Sequence, residues 1–206
     1  MTDPAHVRES GRLLTWSMLG IALGSVLVPL NSTMLAVALP SVMDDFEVDA
    51  ATVASLVTLY LAAVVIALPA SGALGDRFGH RRTFLIGVAA FGAASMLAAT
   101  APSFAVLASC RVLQALSGAL VSTSSTALVR AEAPAGRRGA AFGAFDVLVS
   151  VAAAIGPFVG GLIVSAFGWR AMFLLAAPVA VAALAGVGWL APPRAAGIDG
   201  ARRTTH

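Results

Sequence analysis

Long apolar stretches alternate with short polar clusters along almost the whole chain. Each stretch approaches or exceeds about 20 residues, the length that carries a helix across a hydrocarbon core. Six of them predict helices over roughly 14–39, 50–74, 83–100, 104–129, 140–166 and 170–191. Pro29, Pro69, Pro157 and Pro178 fall inside these spans. A membrane helix tolerates them as kinks, because neighbouring groups satisfy the freed carbonyls. The expected architecture is an all-α membrane protein with a six-helix domain over 14–191, flanked by tails at 1–13 and 192–206. The polar start, MTDPAHVRESGR, is followed by about 25 apolar residues, more than the 7–15 of a signal-peptide apolar region. It therefore reads as the approach to a retained first helix.

Composition strengthens this picture. Apolar residues make up 59% of the 206 and charged residues only 11%, against about a quarter in a soluble domain. The placement of charge then fixes a topology. Arg8, Arg12, Arg77, Arg81, Arg82, Arg130, Arg137, Arg138, Arg194, Arg202 and Arg203 fall on one side, and only Arg170 on the other. That second side also receives Asp44, Asp45, Glu47 and Asp49. By the positive-inside rule both termini are expected in the cytoplasm of a multi-pass protein of the cell membrane. The net charge of +3 comes from these loops. No basic patch interleaved with aromatics suggests nucleic acid. A single cysteine, Cys110, excludes an intrachain disulfide or a CxxC site.

The segment FGHRRTFL from Phe78 recurs as FGWRAMFL from Phe167, and the same shift of 89 residues places Gly72 on Gly161. Three predicted helices lie within that shift, so the two copies enter the membrane in opposite orientations. The expected organisation is two inverted three-helix repeats, about 14–100 and 104–191, as in many secondary transporters.

The loop GALGDRFGHRR, Gly72 to Arg82, is the strongest local signal. Gly72, Gly75 and Gly79 allow a tight turn and close backbone approach, and Asp76 can pair with a nearby Arg or a helix N-terminus. The loop resembles the signature of the major facilitator superfamily, Gly-x-x-x-Asp-Arg-x-Gly-x-Arg-Arg. The resemblance implies a cytoplasmic latch between two halves, with Gly72, Asp76, Arg77, Gly79, Arg81 and Arg82 as a conformational switch. GPFVGG in helix 5 resembles the antiporter motif of the same family through Gly156, Pro157, Gly160 and Gly161. That motif is associated with export, although the cluster also suits plain helix packing.

Helix 4 carries RVLQALSGA from Arg111, similar to the family's Arg-x-x-Gln-Gly-x-Gly-Ala-Ala, with Ala115 and Ser117 in place of two glycines. Arg111, Gln114, Gly118, Ser122 and Ser125 share one face by helical spacing. A guanidinium at this depth costs at least roughly 2.5–3.5 kcal/mol unless paired or hydrated. Arg111 therefore either marks a water-lined cavity or snorkels to the outer interface about 12 Å away. Helix 1 carries LNSTMLAVALP, which resembles the Leu-Asp-x-Thr-Ile-Val-Asn-Val-Ala-Leu-Pro element of drug:proton antiporters, particularly the fourteen-helix branch. Asn31 stands where that element has Asp, and an amide cannot carry a proton. Helix 6 begins WRAMFLLAAPVA, similar to that branch's Trp-Arg-Trp-x-Phe-x-x-Asn-x-Pro, with Ala177 in place of Asn. Asp146, about two turns into helix 5, is either a replacement proton site or partner of Arg111, or an acid near the cytoplasmic interface, solvated or paired with Arg138.

These resemblances cover residues 13–191 in the motif order of a facilitator's N-terminal half. They imply a half-size secondary transporter that exports small amphipathic compounds or drugs, driven by an ion gradient, with protons as the expected coupling ion. A second six-helix half, from a homodimer or a separate chain, would complete it. The alternative is a truncated or non-transporting subunit that needs or regulates a partner half. Asn31, Arg111, Gln114, Ser122, Ser125 and Asp146 are the candidate pathway. No catalytic cluster, metal constellation or cofactor motif is visible, and His6, His80 and His206 lie in tails or loops.

Overall fold

A computed structural model describes the backbone of residues 4–133, 136 and 138–189, and the side chains of 18–131, 133, 136 and 138–187. Arg137, the end of the sixth predicted span and the expected C-terminal tail, with Arg194, Arg202 and Arg203, lie outside the described residues. So do the side chains of Arg8 and Arg12. Seven α-helices follow one another: α1 (Pro4–Phe46), α2 (Ala50–Phe78), α3 (His80–Ala99), α4 (Phe104–Glu132), α5 (Arg138–Phe167), α6 (Trp169–Leu174) and α7 (Ala176–Leu184). A π-helical turn, Ala185–Trp189, extends α7. The protein has six transmembrane helices, α6, α7 and the turn together forming the sixth.

Two boundaries differ from the sequence expectation, each for a local reason. Helix α1 continues past Pro40 to Phe46, absorbing most of the acidic loop. It ends at Glu47, which adopts a left-handed conformation (φ 52°), while the Val48 amide closes back on the Met43 carbonyl at 3.1 Å in a Schellman-type stop. The sixth span, expected to be continuous, is interrupted at Leu175. Pro178 follows three residues later and has no N–H to offer the Leu174 carbonyl.

The repeat is visible in the turns and in the packing. Gly79 (φ 90°) joins α2 to α3, and Gly168 (φ 80°) joins α5 to α6. Both occupy backbone conformations that side chains disfavour, which explains why the two copies of Phe-Gly-x-Arg agree. Helix α1 packs along α5 and the sixth span, and α4 packs along α2 and α3. Exchanging the first three spans for the last three maps one set of neighbours onto the other. The paired arginines follow suit: Arg81, at the start of α3, donates to the Val187 carbonyl at the end of the sixth span. Arg170, at the start of α6, donates to the Ala101 carbonyl just beyond α3 (3.4 Å) and to Asp45 (2.6 Å). Each thus reaches a carbonyl at the far end of the other repeat's third helix.

The core has two apolar layers. One gathers Met34, Val42, Leu56, Leu107, Trp169 and Phe173, and the other Ile21, Leu27, Phe84, Phe91, Val121 and Val187. In sequence, α1 passes between these layers at Asn31, α3 at Ser95 and α4 at Arg111 to Ser117. All are buried.

GPFVGG sets the α1–α5 distance. A Cβ on Gly156 would overlap the Thr33 hydroxyl and come within 3.2 Å of the Leu30 carbonyl, and one on Gly160 would sit 3.0 Å from the Met34 Cα. Gly161 has room, its nearest neighbour being 3.7 Å away. Gly160→Ala should therefore cost roughly 1–3 kcal/mol, read as a lower Tm in mild detergent, while Gly161→Ala should leave Tm unchanged. At the start of α2, Asp49 accepts the Thr52 amide at 2.7 Å, and hydrogen bonding to the Thr52 side chain, with this amide second, holds its carboxyl below its ordinary value of 3.8. The cap's contribution is complete above that value and is lost as pH falls through the lower folded value. Protection of the first-turn amides of α2, taken relative to their intrinsic exchange rate at each pH, should fall in acid, and Asp49→Asn should flatten the dependence.

Candidate functional site

Between the apolar layers, polar side chains from four helices meet around Arg111. Its Nη1 donates to Asn31 Oδ1 of α1 at 3.1 Å and to Gln114 Oε1, one turn along α4, at 2.9 Å. Gln114 Nε2 donates to Ser95 Oγ of α3 at 2.7 Å, and Ser95 in turn donates to the Phe91 carbonyl at 2.8 Å. The guanidinium lies over the Tyr60 ring of α2, with Cζ 4.4 Å from the centroid, a distance at which the ring's negative face attracts a cation.

The cluster is closed. Arg111 is 1% exposed, Gln114 0% and Asn31 3%, so polar side chains and a π face surround the cation where water was expected. Nor does Arg111 snorkel; its head is enclosed within the bundle. Every hydrogen-bond partner given to it is neutral. Two buried donors of this cluster, Arg111 Nε and Asn31 Nδ2, find no partner among the described residues.

The other candidates divide. Gly118 belongs beside the cluster: a Cβ there would meet Val28 at 3.2 Å and the Tyr60 hydroxyl at 3.6 Å. Ala115 and Ser117, which replace two family glycines, are also buried. Ser117 turns its hydroxyl back to the Leu113 carbonyl at 2.7 Å. Gly87 of α3 makes the room instead, since a Cβ there would lie 3.1 Å from the Ser117 carbonyl. Ser125 is buried and donates to the Ser122 carbonyl at 3.0 Å, whereas Ser122 itself is exposed. Neither joins the Arg111 cluster. Asp146 lies on the exposed face of α5, and among the described residues it forms an ion pair with neither Arg111 nor Arg138.

The switch loop turns Arg81 inward, half-buried and donating to the Val187 carbonyl, and its other charged signature side chains outward. Asp76, Arg77 and Arg82 are exposed. Asp76 pairs with His80, one turn on, at 3.3 Å, rather than with an arginine. Arg77 lies over the Phe78 ring at 5.2 Å. Gly75 is buried against the His80 ring, but around Gly72 and Gly79 nothing approaches within 4 Å of where a Cβ would stand. Their smallness answers no packing need within these six helices.

Tyr60 and Ser95 were not foreseen as part of the site. Tyr60 is the chain's single tyrosine, and Ser95 is the single serine of α3. Either oddity was a signal, but only the three-dimensional arrangement connects them to Arg111.

The sequence matches the Major Facilitator Superfamily profile over residues 21–205. It is 41% identical over 182 residues to the tetracenomycin C resistance and export protein of Streptomyces glaucescens, covering 87% of this chain and 34% of that protein. It is 37% identical over 178 residues to the multidrug efflux pump LfrA of Mycolicibacterium smegmatis, covering 85% and 35%. The chain thus spans about a third of the length of these relatives. A crystal structure of the peptide transporter POT in complex with sulfate superimposes with a TM-score of 0.75 at 20% identity, covering 83% of this chain and 37% of that one. The fold is that of half a facilitator.

Removing one acceptor tests the cluster. Gln114→Leu should leave Arg111 short of a partner and Ser95 Oγ without a donor. The cost should be about 1–3 kcal/mol, measured as a lower Tm, and larger than that of Ser125→Ala.

Proposed function

The chain belongs to the major facilitator superfamily, and we propose that it forms one six-helix half of a secondary transporter that exports small amphipathic compounds, drugs among them. An ion gradient, carried by protons, drives the export. The second half is another copy of this chain or a separate six-helix segment, and the motifs of α1 and α6 resemble those of the fourteen-helix drug:proton branch. Domain 14–191 lies in the cell membrane with the tails at 1–13 and 192–206 in the cytoplasm, as the arginine-rich turns favour.

One observation carries this reading: a buried cation with two amide partners bridges α1 and α4 of a facilitator half whose core is largely apolar. Ionisable groups held inside a membrane domain are expensive and mark pathways. The switch loop supports a second half. Exposed Asp76, Arg77 and Arg82, together with the open space beside Gly72 and Gly79, form a surface suited to close approach by another helix. Asp146, about two turns into its span and outward-facing, likewise needs water or a partner from beyond the six helices. Gly156 and Gly160 draw α5 onto α1, so motion of one carries the other.

A second reading has its own support. Asn31 occupies the position of the coupling carboxylate and cannot exchange a proton. A chain acting only as a non-transporting subunit that needs or regulates a partner half would tolerate this change.

Three measurements separate these readings. In reconstituted vesicles Arg111→Ala should abolish efflux while membrane insertion stays normal; unchanged efflux would remove Arg111 from the mechanism. Asp146→Asn should shift the pH dependence of export if that carboxylate replaces the one missing at Asn31. The native mass in mild detergent should correspond to a twelve-helix or larger assembly, whereas a strict monomer inactive in vesicles would exclude the transporter-half reading.

A further inference from the structure

We propose that the cargo of this half is an acidic or neutral amphiphile, and that Arg111 excludes cations by its field, with Asn31 setting the sign. The inference rests on the export reading and names the charge of what is exported. Arg111 is 1% exposed, so it acts at a distance and touches no cargo. Its acceptors are the amide oxygens of Asn31 and Gln114, and the Tyr60 ring covers one face. These groups hold the guanidinium without cancelling its charge, and arginine keeps its proton inside proteins.

Among the residues whose side chains are described, no carboxylate stands at this depth. Asp44, Asp45, Glu47 and Asp49 gather at the end of α1 and in the turn to α2. Asp76 lies near the end of α2, and Asp45 and Asp76 are engaged by Arg170 and His80. Asp146 stands on the exposed face of α5, near its start, as Arg111 stands near the start of α4. Consecutive spans run in opposite directions, so about 20 Å of bundle height separates the two. The interior around Arg111 therefore carries one uncancelled positive charge.

Position 31 decides this sign. Asn31 Oδ1 lies 3.1 Å from Arg111 Nη1, and a carboxylate oxygen in its place would neutralise the cluster. The amide leaves the charge standing. Between the apolar layers neither water nor salt screens it as they would at a surface, and low-dielectric walls of one sign focus the field on what passes. Packed helices lie 8–10 Å apart, so cargo moving along the bundle at this depth passes about 10 Å from the guanidinium. At an effective dielectric of about 20, that separation changes partitioning by about tenfold, against a cation and in favour of an anion.

The test compares three probes that share one fluorophore: dansylglycine, its methyl ester, and a dansylaminoethyl-trimethylammonium ion. Binding to the full chain in an uncharged mild detergent is read by energy transfer from its tryptophans. About 0.5 M sodium chloride screens the exposed arginines within a few ångströms. The anion should bind at least about tenfold more tightly than the cation, with the ester between them. Asn31→Asp and Gln114→Glu, both nearly isosteric, bring a carboxylate to the guanidinium from different helices. Each should lower the anion-over-cation ratio by at least about tenfold, with both affinities taken relative to the ester to remove any effect of the substitution on shape. If one variant does not fold, the other and the wild-type preference decide. Equal binding of anion and cation by the wild type, a ratio unchanged in a folded variant, or failure of all three probes to bind overturns the proposal. Efflux of the ester from vesicles, measured separately, would leave the export reading standing after any of these results.

Discussion

A guanidinium enclosed in an oily bundle sets terms that the rest of the structure meets. Arg111 sits beyond the reach of bulk water, so each neighbouring helix contributes something to hold it. Helix α1 supplies an amide, α2 an aromatic face, α3 a hydroxyl relay and α4 its own glutamine. The apolar layers on either side exclude water from this polar seam. Low local polarity strengthens the bonds that are made and raises the cost of those that are not. The same physics that stiffens the bundle makes the two unmet donors conspicuous.

Around that seam, the inverted repeat does the mechanical work. Two glycines with positive φ turn the chain at matching places, and two arginines at the following helix starts reach carbonyls at the far ends of the opposite repeat. The repeats are therefore clasped at both membrane faces by equivalent contacts made in opposite directions. The clasps are chemically unequal. Arg170 lies between the Phe46 and Trp169 rings and also holds Asp45, and Trp169 donates to the same carboxylate at 3.3 Å. The Arg81 end instead adjoins the exposed signature loop.

Much of the fold was legible because hydrocarbon is an exacting solvent. It requires long helices, confines arginine to the turns and makes a buried charge stand out, and each of these requirements leaves a mark in the sequence. The repeated Phe-Gly-x-Arg was legible for a different reason: a positive φ nearly dictates glycine. What periodicity could not supply was rotation. It placed Ser122 and Arg111 on one face of α4, yet Ser122 is exposed and Arg111 enclosed, because helix spacing describes a stripe and not what covers it. Asn31 and Arg111 lie 80 residues apart, and nothing local links them. The break at Leu175 shows a milder gap, with Pro178 recognised as a kink while its effect appeared three residues earlier.

The central claim is that the two copies of the glycine turn lie on opposite faces of a membrane. It is tested most directly by labelling single cysteines in a Cys110→Ala background. Phe167→Cys and Arg82→Cys are suitable because both positions are exposed. An impermeant maleimide should modify Phe167→Cys in intact cells and Arg82→Cys only in inverted vesicles. Modification of both from the same side, or of either in the soluble fraction, would contradict the inverted six-helix architecture on which the account rests.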